Sequence, residues 1–204
     1  MTIRLTDDFL TKAEYKVLFD TLFFQEFPWH YNEYKVNVKN GETEAIENFQ
    51  FVHPFFRAEN HYGGLIHKKS EYFNLILPIL SRIEYIGLYR IKANMQPLFK
   101  EPYISDYHTD YSDEHGACDH MTTGIYYLNT CNGYTEFEDG SKVGCRANRY
   151  IQFPSNLKHR GVSQTDMRIK SVININFFTP HLNSNGEAEK NCDNNPRTAI
   201  TTNW

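Results

Sequence analysis

Two segments of this 204-residue chain carry side chains whose types and spacing could hold a metal ion. In DYHTDYSDEHG, one residue separates His108 from Asp110. Residues i and i+2 of a strand face the same way. That spacing sets an imidazole and a carboxylate side by side, with Thr109 pointing away. In FPSNLKHRG, His159 follows a Pro-Ser turn. Two histidines and one carboxylate on one face of an ion leave the other face open, as in non-haem iron(II) centres that admit a co-substrate and O2.

H-x-D alone is a weak signal. It gains weight from Arg168, nine residues after His159 on the next predicted strand. A guanidinium suits a carboxylate through two parallel hydrogen bonds. 2-Oxoglutarate carries such a carboxylate at the end away from its metal-chelating keto acid. Lys170 shares strand parity with Arg168, so either side chain could point inward; spacing favours Arg168.

These residues need a frame. Thr11 and Glu14 form a capping box, and Tyr15, Leu18, Phe19 and Leu22 recur at helical spacing, predicting a helix over Thr11 to Phe23. Ser70 to Ile83 is a second helix candidate, in which Pro78 argues for a kink or early stop. Strands are predicted over Phe27 to Val38 and Glu47 to His53, the latter bounded by Pro54. From Tyr85 onward short strands follow one another: Tyr85 to Met95, Ile104 to Tyr111, Met121 to Asn129, Thr135 to Glu138, Arg149 to Phe153, Lys158 to Ser163 and Arg168 to Phe178. Asn132-Gly133, Asp139-Gly140 and Pro154-Ser155 separate several of them. This spacing indicates an all-β sandwich or barrel. The expected organisation is one domain. Residues 1–84 pack on a core at 85–180, and a polar, Asn-rich tail occupies 181–204.

The length suits one buried core. Aromatics reach 15%, which fits a strand-rich fold. A net charge of -4 and a pI near 6.1 offer no electrostatic case for nucleic acid or an anionic membrane. No apolar run approaches the ~18–20 residues that span a bilayer. The first residues lack a signal-peptide layout. Four cysteines without a C-x-x-C pair point to a reduced, cytoplasmic protein.

The blocks HTDY, TTGIYYLN, NGYTEF, FPSNLKHRG and RIKSVININF, in that order, resemble the prolyl 4-hydroxylase-like branch of the 2-oxoglutarate/iron(II) dioxygenases. Phage- and bacterium-encoded members are the most similar, which would place the chain in a host cytoplasm if phage-encoded. The resemblance covers roughly residues 85 to 180. It implies a mostly β fold with flanking helices, a double-stranded β-helix (jelly roll, cupin-like). It implies Fe(II), 2-oxoglutarate as co-substrate and ascorbate as a candidate auxiliary. His108, Asp110 and His159 would bind iron, and Arg168 the distal carboxylate of 2-oxoglutarate. Tyr127 would hydrogen-bond that carboxylate; Thr123, Ile125 and Tyr127 share a face, which separates it from Tyr126. Asn94 would line the pocket. Where the family often has paired glycines before a threonine, this chain has Asn132-Gly133-Tyr134-Thr135, which leaves the loop shape open.

Other clusters have blander readings. His115, Cys118 and His120 could suggest zinc, but read better as a loop over the substrate side. The paired glycines of HYGGL (61–65) read as a turn. Arg146, Arg149 and Arg160 could form a positive rim for an acidic substrate, or a solvated face. The implied activity is hydroxylation of a C–H bond, with a prolyl residue of a peptide or protein as substrate. The same chemistry on a free amino acid, small metabolite or nucleobase is an alternative, as is a non-catalytic jelly-roll binding module.

Overall fold

The structure, a computed structural model, describes residues 3–33, 48–61, 64–110 and 121–180. Its elements are β1 (Arg4–Thr6), α1 (Lys12–Phe24), β2 (His30–Asn32), β3 (Gln50–His61), β4 (Gly64–Lys69), a 3-10 turn (Phe73–Ile76), α2 (Leu77–Leu80), β5 (Gly87–Pro97), β6 (Met121–Tyr127), β7 (Tyr134–Phe137), β8 (Lys142–Gly144), β9 (Arg149–Pro154), β10 (His159–Val162) and β11 (Ile169–Phe178). An eight-stranded antiparallel sheet runs in the order β1-β9-β6-β11-β5-β3-β2, with β4 on β3. A three-stranded sheet has the order β10-β7-β8. Strands β1 and β3, from the N-terminal part, hydrogen-bond directly to β9 and β5. This is the mostly β jelly roll expected from the sequence.

Helix α1 begins as the capping box requires. Thr11 Oγ1 accepts from the Glu14 N–H at 3.3 Å, and Glu14 Oε2 accepts from the Thr11 N–H at 2.8 Å. Its buried face, Leu18 and Leu22, packs with Phe55, Ile91, Tyr126, Ile173 and Ile175 on one side of the large sheet. A second apolar cluster, around Ile125, Tyr127, Phe137, Ile151 and Phe153, includes residues of both sheets. Alternation along β11 divides these roles: Ile173, Ile175 and Phe177 enter the main core, while Lys170, Val172 and Asn174 face the other way and line a cavity. Buried polar residues on that second face mark it as a site.

The structure departs from several expectations. Ser70 to Ile83 forms only the 3-10 turn and a four-residue α2, with Pro78 at its start. Proline lacks the amide to continue a helix but suits its first turn. Strand β3 passes through Pro54, where the register with β5 shifts between Pro54 and Phe56; a bulge accommodates a residue without a ladder donor. Of the strand predicted over Ile104 to Tyr111, residues 104–110 form no regular strand, and Tyr111 lies outside the described residues. Residues 104–110 touch β10 through single bridges, Ile104 to Val162 and His108 to His159. The short β1 and β8 and the hairpin strand β4 were not foreseen. Among the described residues, no helix is long and apolar enough to cross a membrane. Cys131 and Cys145 are free, buried thiols.

Candidate metal centre and co-substrate pocket

The His108–His159 bridge builds the centre of the site. Each residue donates its N–H to the other's carbonyl, at 3.0 and 2.9 Å. This brings the two imidazoles to 4.6 Å between centroids. Their Nδ1 atoms lie 3.3 Å from Asp106 O and 2.9 Å from Leu157 O. Backbone carbonyls accept, so Nδ1 is the protonated nitrogen and Nε2 is left as the ligand atom. Each Nε2 lies 4.0 Å from an Asp110 carboxylate oxygen. One ligand atom from each of the three residues falls within 4.8 Å of the others, a spacing that could hold one ion.

Asp110 is only 5% exposed at its side chain and is held from behind. Its Oδ2 accepts from Thr123 Oγ1 at 2.9 Å and from Asn176 Nδ2 at 3.1 Å. Thr123 in turn meets Ser155 at 2.9 Å, and Arg90 Nε donates to Asn176 Oδ1 at 3.1 Å. Burial pushes the Asp110 carboxyl up. The His159 imidazole, the Arg90 guanidinium, His108 and the Asn176 hydrogen bond outweigh it and hold the group below its ordinary value. Burial pushes the His159 imidazole down. A charged carboxylate beside a neutral imidazole is the state that binds a cation.

The three residues line a cavity of about 380 Å³ between the two sheets. Lys170 lies in its wall, 6% exposed, and its ammonium donates to Val162 O at 2.7 Å and Tyr134 O at 3.1 Å. Ile125 and Val172 line the cavity too. Asn94 and Asn174 face it, each with an amide oxygen that has no partner among the described residues. Tyr127 is fully buried, on the same strand face as Ile125, and its hydroxyl lies 2.8 Å from Thr135 Oγ1, which lines the cavity. A divalent ion suits the His-Asp-His donor set. A five-carbon dicarboxylate suits a pocket with a buried ammonium and an apolar stretch.

One expectation is corrected. Arg168 is exposed in the turn before β11 and takes no part in the cavity wall; its carbonyl accepts from Leu98 N at 2.9 Å. The β11 cation that lines the cavity is Lys170. Strand β11 starts at Ile169, so Lys170 is its first inward-facing position and Arg168 precedes the sheet. Gly133 makes room for it: a methyl group there would sit 3.0 Å from Lys170 Cδ and 3.0 Å from Val162 O. The structure brings His108, Asp110, His159 and Asn94 to one cavity, with Tyr127 behind it. His115, Cys118 and His120 lie outside the described residues. Arg146 and Arg149 pair with Asp7, and Arg160 with Glu136. The sequence reading missed Arg90, Lys92, Asn174 and Asn176. All four alternate on strands whose other face is apolar, a pattern that sequence shows without telling which polar face encloses a site.

No protein-family model matches the sequence, and no curated protein matches it. Solved structures do. A viral collagen prolyl hydroxylase from Paramecium Bursaria Chlorella virus-1, in a 2-oxoglutarate complex, matches at 15% identity, over 89% of this chain and 97% of its own, with a TM-score of 0.53. A Pseudomonas putida prolyl-4-hydroxylase matches at 14%, over 87% and 92%, with a TM-score of 0.51. A Trichoplax adhaerens prolyl hydroxylase, in complex with a hypoxia inducible factor peptide fragment, matches at 16%, over 86% and 83%, with a TM-score of 0.54. With the sheet order and the two-sheet cavity above, these likenesses show that the chain has the jelly-roll fold of prolyl hydroxylases and 2-oxoglutarate/iron(II) oxygenases.

Proposed function

We propose that this chain is an iron(II)- and 2-oxoglutarate-dependent oxygenase that hydroxylates a C–H bond, with a prolyl residue of a peptide or protein as the substrate. The observation that carries this reading is one cavity that holds both the His108–Asp110–His159 cluster and the buried ammonium of Lys170. A structural metal site needs no anion clamp beside it, and a binding module needs no open metal face.

Bound iron(II) would activate O2, the oxidant, while 2-oxoglutarate would supply two electrons, one oxygen atom ending in succinate as CO2 is released and the other in the substrate hydroxyl. The protein's part is positioning. His108, Asp110 and His159 would hold the ion from one side. Thr123 and Asn176 keep the Asp110 carboxylate oriented toward it. Lys170 would hold the far carboxylate of the co-substrate, supported by the Tyr127–Thr135 hydroxyl pair. Ile125 and Val172 would cover its methylene groups and exclude water.

The test is succinate formation that requires added iron(II) and 2-oxoglutarate, compared with Asp110→Ala. Equal turnover by the variant refutes the proposed centre. Incubation with Pro-containing peptides, followed by a mass increase of one oxygen, tests the substrate.

A further inference from the structure

Among the described residues, the cavity holds more positive charge than a metal and 2-oxoglutarate would use. Bound together, a divalent ion, a dianionic co-substrate, the Asp110 carboxylate and the Lys170 ammonium balance one another. Arg90 and Lys92, two neighbouring inward positions on β5, are left over. Arg90 bonds to Asn176 and makes a long 3.5 Å contact with Asp110. The Lys92 ammonium has no hydrogen-bond or ion-pair partner among the described residues.

The surplus sits at a junction. A second cavity of about 310 Å³ shares Arg90 and Lys92 with the first and is walled by Val52, Pro54 and Phe56 on β3. Asn32, Arg57 and Tyr89 complete its lining, so anything lying in that trough with one end at the metal passes these two cations. Four other arginines are already paired: Arg57 with Glu59, Arg146 and Arg149 with Asp7, and Arg160 with Glu136.

We infer that the substrate presents a carboxylate to Lys92 and Arg90 beside the metal, carried on an acidic peptide side chain or on a free amino acid. This rests on the oxygenase reading of the same cavity. A half-buried ammonium without a partner is a standing cost. Burial and the Arg90 and Arg57 charges push Lys92 down to about 8, against the pull of Asp110. A bound carboxylate would relieve that cost, so occupancy of the trough is coupled to the acidity of the ligand.

The experiment is calorimetry on the protein loaded with Mn(II) and N-oxalylglycine, an inert analogue of 2-oxoglutarate, which fills the co-substrate site and prevents turnover. In one arm the probes are acetyl-Glu-Pro-amide and its Gln counterpart; in the other, L-proline and L-prolinamide. The expected result is that the carboxylate member of at least one pair binds tenfold or more tightly than its neutral partner. Lys92→Met should reduce that ratio to below twofold, and Lys92→Arg should keep it. The arm that responds identifies the source of the carboxylate. Equal binding in both arms, no binding of any probe, or a preference that survives Lys92→Met overturns the inference. A comparable loss of N-oxalylglycine affinity in Lys92→Met also overturns it, because Lys92 would then hold the co-substrate. If the unaltered protein fails to bind Mn(II) with N-oxalylglycine, the oxygenase reading itself falls, and this inference with it.

Discussion

Replacing Lys170 by Met tests the co-substrate clamp most directly. Methionine keeps much of the volume and removes the charge. In the structure Lys170 is 6% exposed, and two of its three ammonium protons are committed, to Val162 O at 2.7 Å and Tyr134 O at 3.1 Å. One donor remains for a carboxylate, so the loss is one charge-assisted hydrogen bond plus the attraction of an enclosed opposite charge. Charge-assisted bonds contribute about 1.5–3 kcal/mol, and removing one partner of a buried pair costs about 2–5 kcal/mol. A loss of about 2–4 kcal/mol is expected, or roughly 30- to 700-fold in the dissociation constant of 2-oxoglutarate. The assay is anaerobic titration of the iron(II) protein with 2-oxoglutarate, following the weak visible charge-transfer band. Arg168→Ala is the control. Its side chain lies outside the cavity, so affinity should stay within about twofold, since surface changes typically stay within ~0.5 kcal/mol. If Lys170→Met binds like the unaltered protein, or if Arg168→Ala is the variant that weakens, the assignment of the clamp is wrong.

Three further outcomes follow from the geometry. Thr123→Val removes the 2.9 Å hydrogen bond behind Asp110, and should weaken Mn(II) or Fe(II) binding by about 10- to 100-fold, as is usual for partners of metal ligands; calorimetric titration with Mn(II) checks it. Asn148 sits at φ 60° and ties Leu10 N, Leu10 O and Tyr126 Oη, each at 2.8 Å. Asn148→Ala should therefore cost about 3–4 kcal/mol, or roughly 6–16 °C in Tm, with Asn148→Gly recovering the backbone part, as thermal unfolding would show. Lys92, pushed down to about 8 when folded, binds a proton more strongly in the unfolded chain, where its pKa is about 10.4. The unfolded state then holds more protons between pH 8 and 10, so stability rises with pH there. Relative to Lys92→Met, the unaltered protein should gain about 1–2 kcal/mol across that window, by denaturant unfolding at several pH values. The raised ionisation of buried Tyr126, Tyr127 and Tyr150 works the other way above about pH 10 but is common to both proteins.

Much of this architecture was legible in the residue order because local rules decided it. The capping box at Thr11 and Glu14 places the start of α1, since both hydrogen bonds are made within one turn. The alternation of Thr123, Ile125 and Tyr127 against Thr122, Gly124 and Tyr126 groups Tyr127 with Ile125 and apart from Tyr126, because pleat parity is a property of the strand alone; which of the two faces meets the cavity is not. The types of His108, Asp110 and His159 suggest a metal centre, because few other chemistries use that donor set with an anion clamp beside it.

Tertiary structure decided the rest. His108 and Asp110 are expected on a strand, yet a single bridge from His108 to the distant His159, not strand regularity, places them. The choice between Arg168 and Lys170 could not be made from parity, which is the same for both. It depends on where β11 enters the sheet and on which position the β7–β10 sheet covers, and both are contacts between residues distant in the chain. That Lys92 has no partner among the described residues is equally invisible in sequence: a lysine on a strand is usually solvated, and only the tertiary arrangement makes it part of the cavity wall.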